Sequence, residues 1–414
     1  MKKFSEAMNE VQQQVASHYR EQFGKMVASL LYSSSNIDPE LAEDLVQDTF
    51  SAALTDWEQN GIPYNPKAWL YKVCKNKAIN RIKRDARLEA LSEKETVQEV
   101  EQRFSESLLD DQQLKLLFAC AHPDLSPKIQ VVITLKYVAN LRVEAIANVL
   151  GMTIDGVDKL LVRARQKIKN EKILLTEPTT EELAARLPVV HKVIYLLFNE
   201  GYRASAGKDL MREELCEEAL IITRQLMGSP LPNEETMALY ALMLFNAARF
   251  EARFGKGGEL LDLEQQDRSR WNQQLIALGS DYLTKAETKN LSTYHLEASI
   301  AYFHCTSPTF SETTWRKIVT LYARLLDLHP NPFIELNYAI ALFYNGDTQN
   351  AFEILLNLRR HTFLNRSYLL HATLGKLYYL HGDKARAKEF LCKATENAQF
   401  ERERKYIEKL IEKI

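Results

Sequence analysis

Three stretches of this 414-residue sequence hold side chains whose types and spacing suit recognition chemistry rather than bond-making. The first is 142–170. Val143, Ile146, Ala147 and Leu150 share one helical face, and Val157, Leu160, Leu161, Ala164 and Ile168 form a stripe on a second helix. Gly151 permits a sharp turn between them, and Thr153 is placed to cap the second helix. The other face of that helix presents Asp155, Gly156, Lys159, Arg163 and Gln166. Such a slim, polar tip can reach base edges in a major groove. Arg163, Arg165, Lys167 and Lys169 follow as candidate phosphate contacts.

The second stretch is 66–87. Leu70, Tyr71, Cys74, Ala78 and Ile82 fall on one side; Lys72, Asn76, Lys77, Asn80, Lys83 and Arg84 fall on the other. Tyr64, Asn65 and Trp69 stand at its start, beside a loop punctuated by Gly61, Pro63 and Pro66. Aromatic rings next to a row of cations supply the stacking surface and backbone charge that unstacked bases need; Tyr71 is read as core. The third stretch, AEDLVQDTF (42–50), turns Ala42, Leu45, Val46, Thr49 and Phe50 inward. It is expected to present Glu43, Asp44, Gln47 and Asp48 outward as one acidic patch suited to a basic protein partner.

No catalytic, metal or cofactor constellation competes. The five cysteines (Cys74, Cys120, Cys216, Cys305, Cys392) are widely spaced, with no C-x-x-C and no close Cys/His cluster, as suits a reducing compartment. His191 and Glu200 have no paired Ser or Cys nucleophile. Asn199–Tyr202 reads as a helix end closed by Gly201, and Asp267, Arg268 and Arg270 read as structural ion pairs.

The elements carrying these residues are helical almost throughout. Fourteen glycines and twelve prolines are too few for a turn-rich β protein of this length. Apolar residues recur at three- and four-residue spacing over 11–31, 39–57, 66–87, 127–139, 142–150 and 154–170. Asp38-Pro39 is an N-cap followed by proline at the first helical position. Charge comes in blocks: residues 38–58 hold seven acids and no Lys or Arg, 67–87 eight bases against Asp85, 88–111 eight acids against Lys94 and Arg103, and 159–172 six bases against Glu171. These blocks mark separate surfaces for separate partners, although net charge is only −2. The acidic, weakly periodic stretch 88–107 reads as a linker, and Pro178 as a second boundary. Beyond it, NYAIALFYNGD (337–347) with Ala351 and TLGKLYYLHGD (373–383) with Ala387 repeat at 36 residues, near the ~34-residue period of tetratricopeptide helix pairs.

In this order, AEDLVQDTF, the basic Trp-containing helix AWLYKVCKNKAINRIKRD, the acidic linker and a helix-turn-helix ending LLVRARQKIK resemble extracytoplasmic-function RNA polymerase sigma factors. The segments IYLLFNEGYRAS, ALYALMLFNAARFEAR and LEQQDRSRW look like the extension of the subgroup that ends in a tetratricopeptide-like domain. The resemblance implies an all-α protein: region 2 over 1–87, a linker over 88–107, a region 4 helix-turn-helix over 108–172 and an all-helical extension over 180–414. It implies that Asp44, Gln47 and Asp48 contact the β′ clamp helices of core RNA polymerase, whose β flap is a further partner surface. It places Asn65 and Trp69 at a flipped base of the −10 element, with Lys72, Lys77, Arg81 and Arg84 on the opened strand or upstream phosphates. It places Asp155, Gly156, Asp158, Lys159, Arg163 and Arg165 at the −35 element, with fewer bases at the helix tip than is usual. The linker would lie in the RNA-exit path. The chain would have no catalytic residue, metal or cofactor, and a cytoplasmic location without membrane insertion. The extension would regulate activity, by packing on region 2 or 4 or by binding a regulatory protein.

Three other readings stay open on the residues alone. A helix-turn-helix regulator with a repeat sensor, acting without replacing sigma, accounts for 108–414 but not for AEDLVQDTF or the Trp-containing helix. A peptide-binding scaffold makes the basic helices incidental. An enzyme in 180–290 lacks a catalytic constellation.

Overall fold

A computed structural model describes residues 2–33, 37–89, 109–171, 173, 175, 178–202, 211–229, 231, 233–255, 261–398 and 401–414. Its regular elements, among the described residues, are helices, as the apolar spacing predicts. They form two compact units, Met1–Leu231 and Pro232–Ile414.

The first unit begins with α1 (Lys2–Ser33), α2 (Pro39–Asn60) and α3 (Pro66–Glu89). The Asp38 side chain accepts from Leu41 N at 2.9 Å and starts α2; Asn65 does the same for α3, accepting from Ala68 N at 3.0 Å. The three helices close on Phe23, Met26, Val46, Trp57, Leu70 and Cys74, all essentially inaccessible. Tyr71 belongs to the same core. The predicted linker lies, apart from the end of α3, outside the described residues.

The chain continues with α4 (Leu109–Cys120), α5 (Pro127–Tyr137), α6 (Val143–Leu150) and α7 (Ile154–Asn170). Gly151 sits at φ 62° after α6, where only glycine is unstrained, and Met152 N donates to Ala147 O at 2.8 Å. The Thr153 hydroxyl accepts from Gly156 N at 3.1 Å and caps α7. Two more helices, α8 (Thr180–Tyr202) and α9 (Glu213–Met227), complete this unit. Buried Arg186 of α8 donates to Phe118 O at 3.1 Å and to Glu182 at 3.2 Å. The start of the predicted extension therefore packs within the first unit, and the second begins only near 232. Gly201 is not a left-handed cap. It lies inside α8, and a Cβ there would stand 2.7 Å from Cys216 Sγ and 2.8 Å from Arg212 O, so glycine permits the approach of α9.

The second unit holds α10 (Glu234–Ala247), α11 (Gln273–Lys285), α12 (Thr293–Thr306), α13 (Trp315–Leu328), α14 (Pro332–Tyr344), α15 (Thr348–Leu358), the short α16 (Thr362–Asn365), α17 (Tyr368–Leu380), α18 (Lys384–Asn397) and α19 (Glu401–Ile411). The 36-residue repeat is visible as two helical hairpins, α14–α15 and α17–α18. Gly346 at φ 95° and Gly382 at φ 93° make their turns, and Asp347 and Asp383 cap the second helices. A Cβ at Gly375 would meet Leu391 Cγ at 2.6 Å, which is why the small residue is needed where α17 crosses α18. Among the described residues Asp267, Arg268 and Arg270 form no ion pair, although Arg270 helps to lower the Asp267 carboxyl after its bonds with Ser269. Asp267 accepts from Ser269, and Arg268 donates to His304 O at 2.6 Å and Ser307 O at 2.7 Å while lying 4.5 Å over the Trp271 ring.

Candidate functional site

The candidate surfaces all lie in the first unit. On α2, Asp44, Gln47 and Asp48 are exposed along one side, as the apolar spacing predicts. Glu43 is not part of that patch: it is 8% exposed, and its carboxylate accepts from Lys136 Nζ of α5 at 2.6 Å. Arg165 of α7 lies 3.7 Å from Glu43 and 3.5 Å from Glu40. Gln47 also donates to Glu43, at 3.2 Å. The correction has a simple cause. Glu43 falls on the boundary between the polar and apolar faces of α2, and a boundary carboxylate is buried once two cations are brought to it. At the same junction a Cβ on Gly24 of α1 would collide with the Val138 carbonyl oxygen at the end of α5. Here α1 meets the end of α5 backbone to backbone, and a charged cleft of 650 Å³ is lined by Glu43, Gln47, Lys136 and Arg142.

On α3, Lys72, Arg81 and Arg84 are exposed and Lys77 is half-buried. Asn65 is exposed, but its side chain is already engaged as the cap of α3. Trp69 is half-buried, its ring edge-on to the buried Trp57 at 5.6 Å. Tyr64, in the loop just before, is the fully exposed aromatic of the group. Among the described residues its phenol has no ring partner, and it stands beside the basic helix α3. Its signal in the sequence was its place in the loop between Pro63 and Pro66, outside both flanking helices.

On α7, Asp155, Asp158, Lys159 and Arg163 are exposed and Gly156 is half-buried. Asp155 and Lys159 pair at 2.7 Å, both largely exposed, so the bond is weak and either side chain is free to exchange partners. Gly156 spends its N–H on the Thr153 cap. Arg165 stands apart from the other candidates. Its Nε donates to Tyr137 Oη at 3.0 Å and its guanidinium faces Glu40 and Glu43, so in this arrangement it ties α7 to α5 and α2. Burial pushes the Tyr137 phenol up to about 12, against the pull of Arg165, so Tyr137 stays neutral.

The buried thiols add no reactive group here. Burial raises both Cys74 and Cys120 to about 12, which leaves each as a protonated core side chain at neutral pH. Among the described residues no group of three or more His, Cys, Asp or Glu is placed to hold a metal, and no helix is long and apolar enough to cross a membrane.

Comparison with known proteins adds three findings. Residues 20–88 match the model of sigma-70 region 2. Residues 186–287 match a family of unknown function, DUF6596. A protein of Rhizobium meliloti (strain 1021), named Uncharacterized protein R00370, is 33% identical over 324 residues, which cover 76% of this chain and 76% of the relative.

Proposed function

The chain belongs to the family of the Rhizobium protein and carries sigma-70 region 2 at its N-terminus, and from that premise we propose that it is an extracytoplasmic-function-type sigma factor with a regulatory helical extension. Region 2 is the module that binds core RNA polymerase and the −10 promoter element in transcription initiation. The observation that carries the reading is the coincidence of that match with helices α1–α3, in which Asp44, Gln47 and Asp48 of α2 and Lys72, Arg81 and Arg84 of α3 are exposed.

In this reading Asp44, Gln47 and Asp48 dock on the polymerase β′ clamp helices, where charge complementarity sets orientation and on-rate. Lys72, Lys77, Arg81 and Arg84 hold backbone phosphates of the opened strand, and Tyr64, Asn65 and Trp69 receive a base leaving the stack. Helices α6 and α7 act as region 4: Asp155, Gly156, Asp158, Lys159 and Arg163 read the −35 element, on which the polymerase β flap holds them. Arg165 joins them once its contacts with Glu40 and Glu43 open. The protein supplies recognition and strand separation, and the polymerase supplies the chemistry. The two repeat hairpins support a tetratricopeptide-like extension, which controls when the factor engages.

Run-off transcription with purified bacterial core polymerase and a supercoiled promoter library tests this. Discrete new start sites that vanish in Asp44→Lys/Asp48→Lys are expected. Absence of transcripts from the full chain and from residues 1–231, together with tight duplex binding by the protein alone, would replace it with a helix-turn-helix regulator acting beside an existing sigma factor.

A further inference from the structure

The outward face of α7 carries one side chain that helix packing does not account for. The buried stripe of this helix is Val157, Leu161, Ala164 and Ile168. At about 100° per residue, Val162 points about 130° away from the middle of that stripe, and it is 48% exposed. It follows Asp155 by seven residues, Asp158 by four and Lys159 by three, so it lies in one outward row with these exposed side chains. Arg163 and Gln166, also exposed, flank it. A helix face made only to meet water favours Lys, Gln, Glu or Ala; a β-branched residue loses rotamer freedom there and offers water no hydrogen bond. Ile154, the other exposed aliphatic of α7, has a simpler cause. It borders the buried stripe, about 50° from its middle, and is uncovered because it opens the helix.

The charge on α7 names the partner of this face. Lys159, Arg163, Arg165, Lys167 and Lys169 stand against Asp155 and Asp158, the balance that suits a polyanion. The dimensions agree. From Asp155 to Val162 the helix rises about 10 Å, which equals about three base-pair steps of duplex DNA. In the major groove base edges present donors and acceptors, and the apolar feature among them is the C5-methyl group of thymine. Valine set against a donor or acceptor would strip its water and give nothing back; set against a methyl it gains burial on both sides. We propose that Val162 is a specificity-determining residue of region 4, packing its methyls on a thymine C5-methyl of the −35 element, about three base pairs from the pair that Asp155 meets. This deepens the reading of α6 and α7 as the −35 reader and rests on it.

The test uses the full chain assembled with purified bacterial core polymerase, on synthetic duplexes of the strongest promoter recovered from the run-off library. Each thymine of the −35 element, on either strand, is replaced in turn by uracil, which removes the methyl group and keeps the base pairing. At one base pair the replacement should weaken promoter binding about fourfold, the worth of one buried methyl. In Val162→Ser the same replacement should change binding by less than about 1.5-fold, whereas Val162→Ile, which keeps the apolar contact, should retain the loss. Both variants should melt with the parent and bind core polymerase as tightly, because the side chain is exposed and faces DNA. The proposal is overturned if no thymine shows a methyl effect that depends on Val162, and equally if Val162→Ser weakens core binding instead, which would assign the valine to the polymerase. Either result, obtained with an active promoter, leaves the sigma reading standing. A library that yields no promoter is the separate failure: it removes the sigma reading, and this inference with it.

Discussion

The pairing of Glu43 with Lys136 makes a sharp prediction about how the two helix groups of the first unit are held together. The carboxylate is 10% accessible and the ammonium 18%, at 2.6 Å, with Arg165 at 3.7 Å as a second, more exposed cation. Breaking a fully buried pair by truncating one partner costs about 3–5 kcal/mol, while an exposed pair is worth under about 1 kcal/mol. This pair lies nearer the buried limit, but Lys136 can reach water along its stem and Gln47 remains to donate to Glu43. About 2 kcal/mol for Glu43→Ala or Lys136→Met singly is the expected cost. In a unit of this length that lowers the first thermal transition by about 4–8 °C. The assay is a double-mutant cycle by thermal unfolding of the full chain, followed by a probe in the first unit such as Trp57 or Trp69 fluorescence. A coupling of about 1–2 kcal/mol is expected for the pair. The second unit's transition should not move. A coupling under about 0.3 kcal/mol, within the additivity of independent sites, would refute the claim that this ion pair joins α2 to α5.

Other expectations come from single positions. Gly201→Ala should cost about 2–3 kcal/mol in the same melt, because its Cβ would press on Cys216 N and Arg212 O at 2.8 Å, backbone atoms that cannot rotate away; an unchanged melting temperature would show that α8 and α9 do not approach this closely. Tyr64→Ala should leave stability unchanged, since the ring is fully exposed, yet weaken single-stranded DNA binding in a fluorescence titration by about 1–3 kcal/mol; equal affinity would remove Tyr64 from the interface. Acid should destabilise the second unit. Burial, with Arg249 and Arg268 nearby, holds His304 near 3 in the fold against about 6.5 unfolded, so the unfolded chain binds the extra proton and stability falls as pH drops below about 6.5. Between pH 7 and pH 5 the loss from this group is about 2 kcal/mol. Burial lowers His295 and His371 in the same direction. Melting temperature against pH for His304→Gln should show a visibly shallower acid limb, and a limb as steep as the parent's would contradict the assignment.

Features that depend on neighbours within a turn or two could be read from the amino acids directly. The limits of α2, α3, α6 and α7 fall within two or three residues of those read from apolar spacing. The caps at Asp38 and Thr153 and the turns at Gly151, Gly346 and Gly382 are where the residue types demand them. A cap or a left-handed turn is a local transaction between a side chain and the adjacent backbone, so residue identity alone specifies it. The exposure of Asp44, Gln47, Asp48, Lys159 and Arg163 follows from helical period in the same way. Which polar residues at the edges of those faces are taken up by distant partners depends instead on how the helices pack. Glu43 and Arg165 have the same composition and spacing as their exposed neighbours, and only the packing of α5 and α7 against α2 turns them toward each other. Gly24 and Gly201 look like ordinary helix residues until a second backbone is laid across them. A cavity in the second unit brings Asp262, His304, Trp315, Lys376 and Tyr406 together from five separate segments with no common spacing. Contacts made across long stretches of chain leave no period in the sequence, because their geometry is fixed by how whole helices pack and not by the residues beside them.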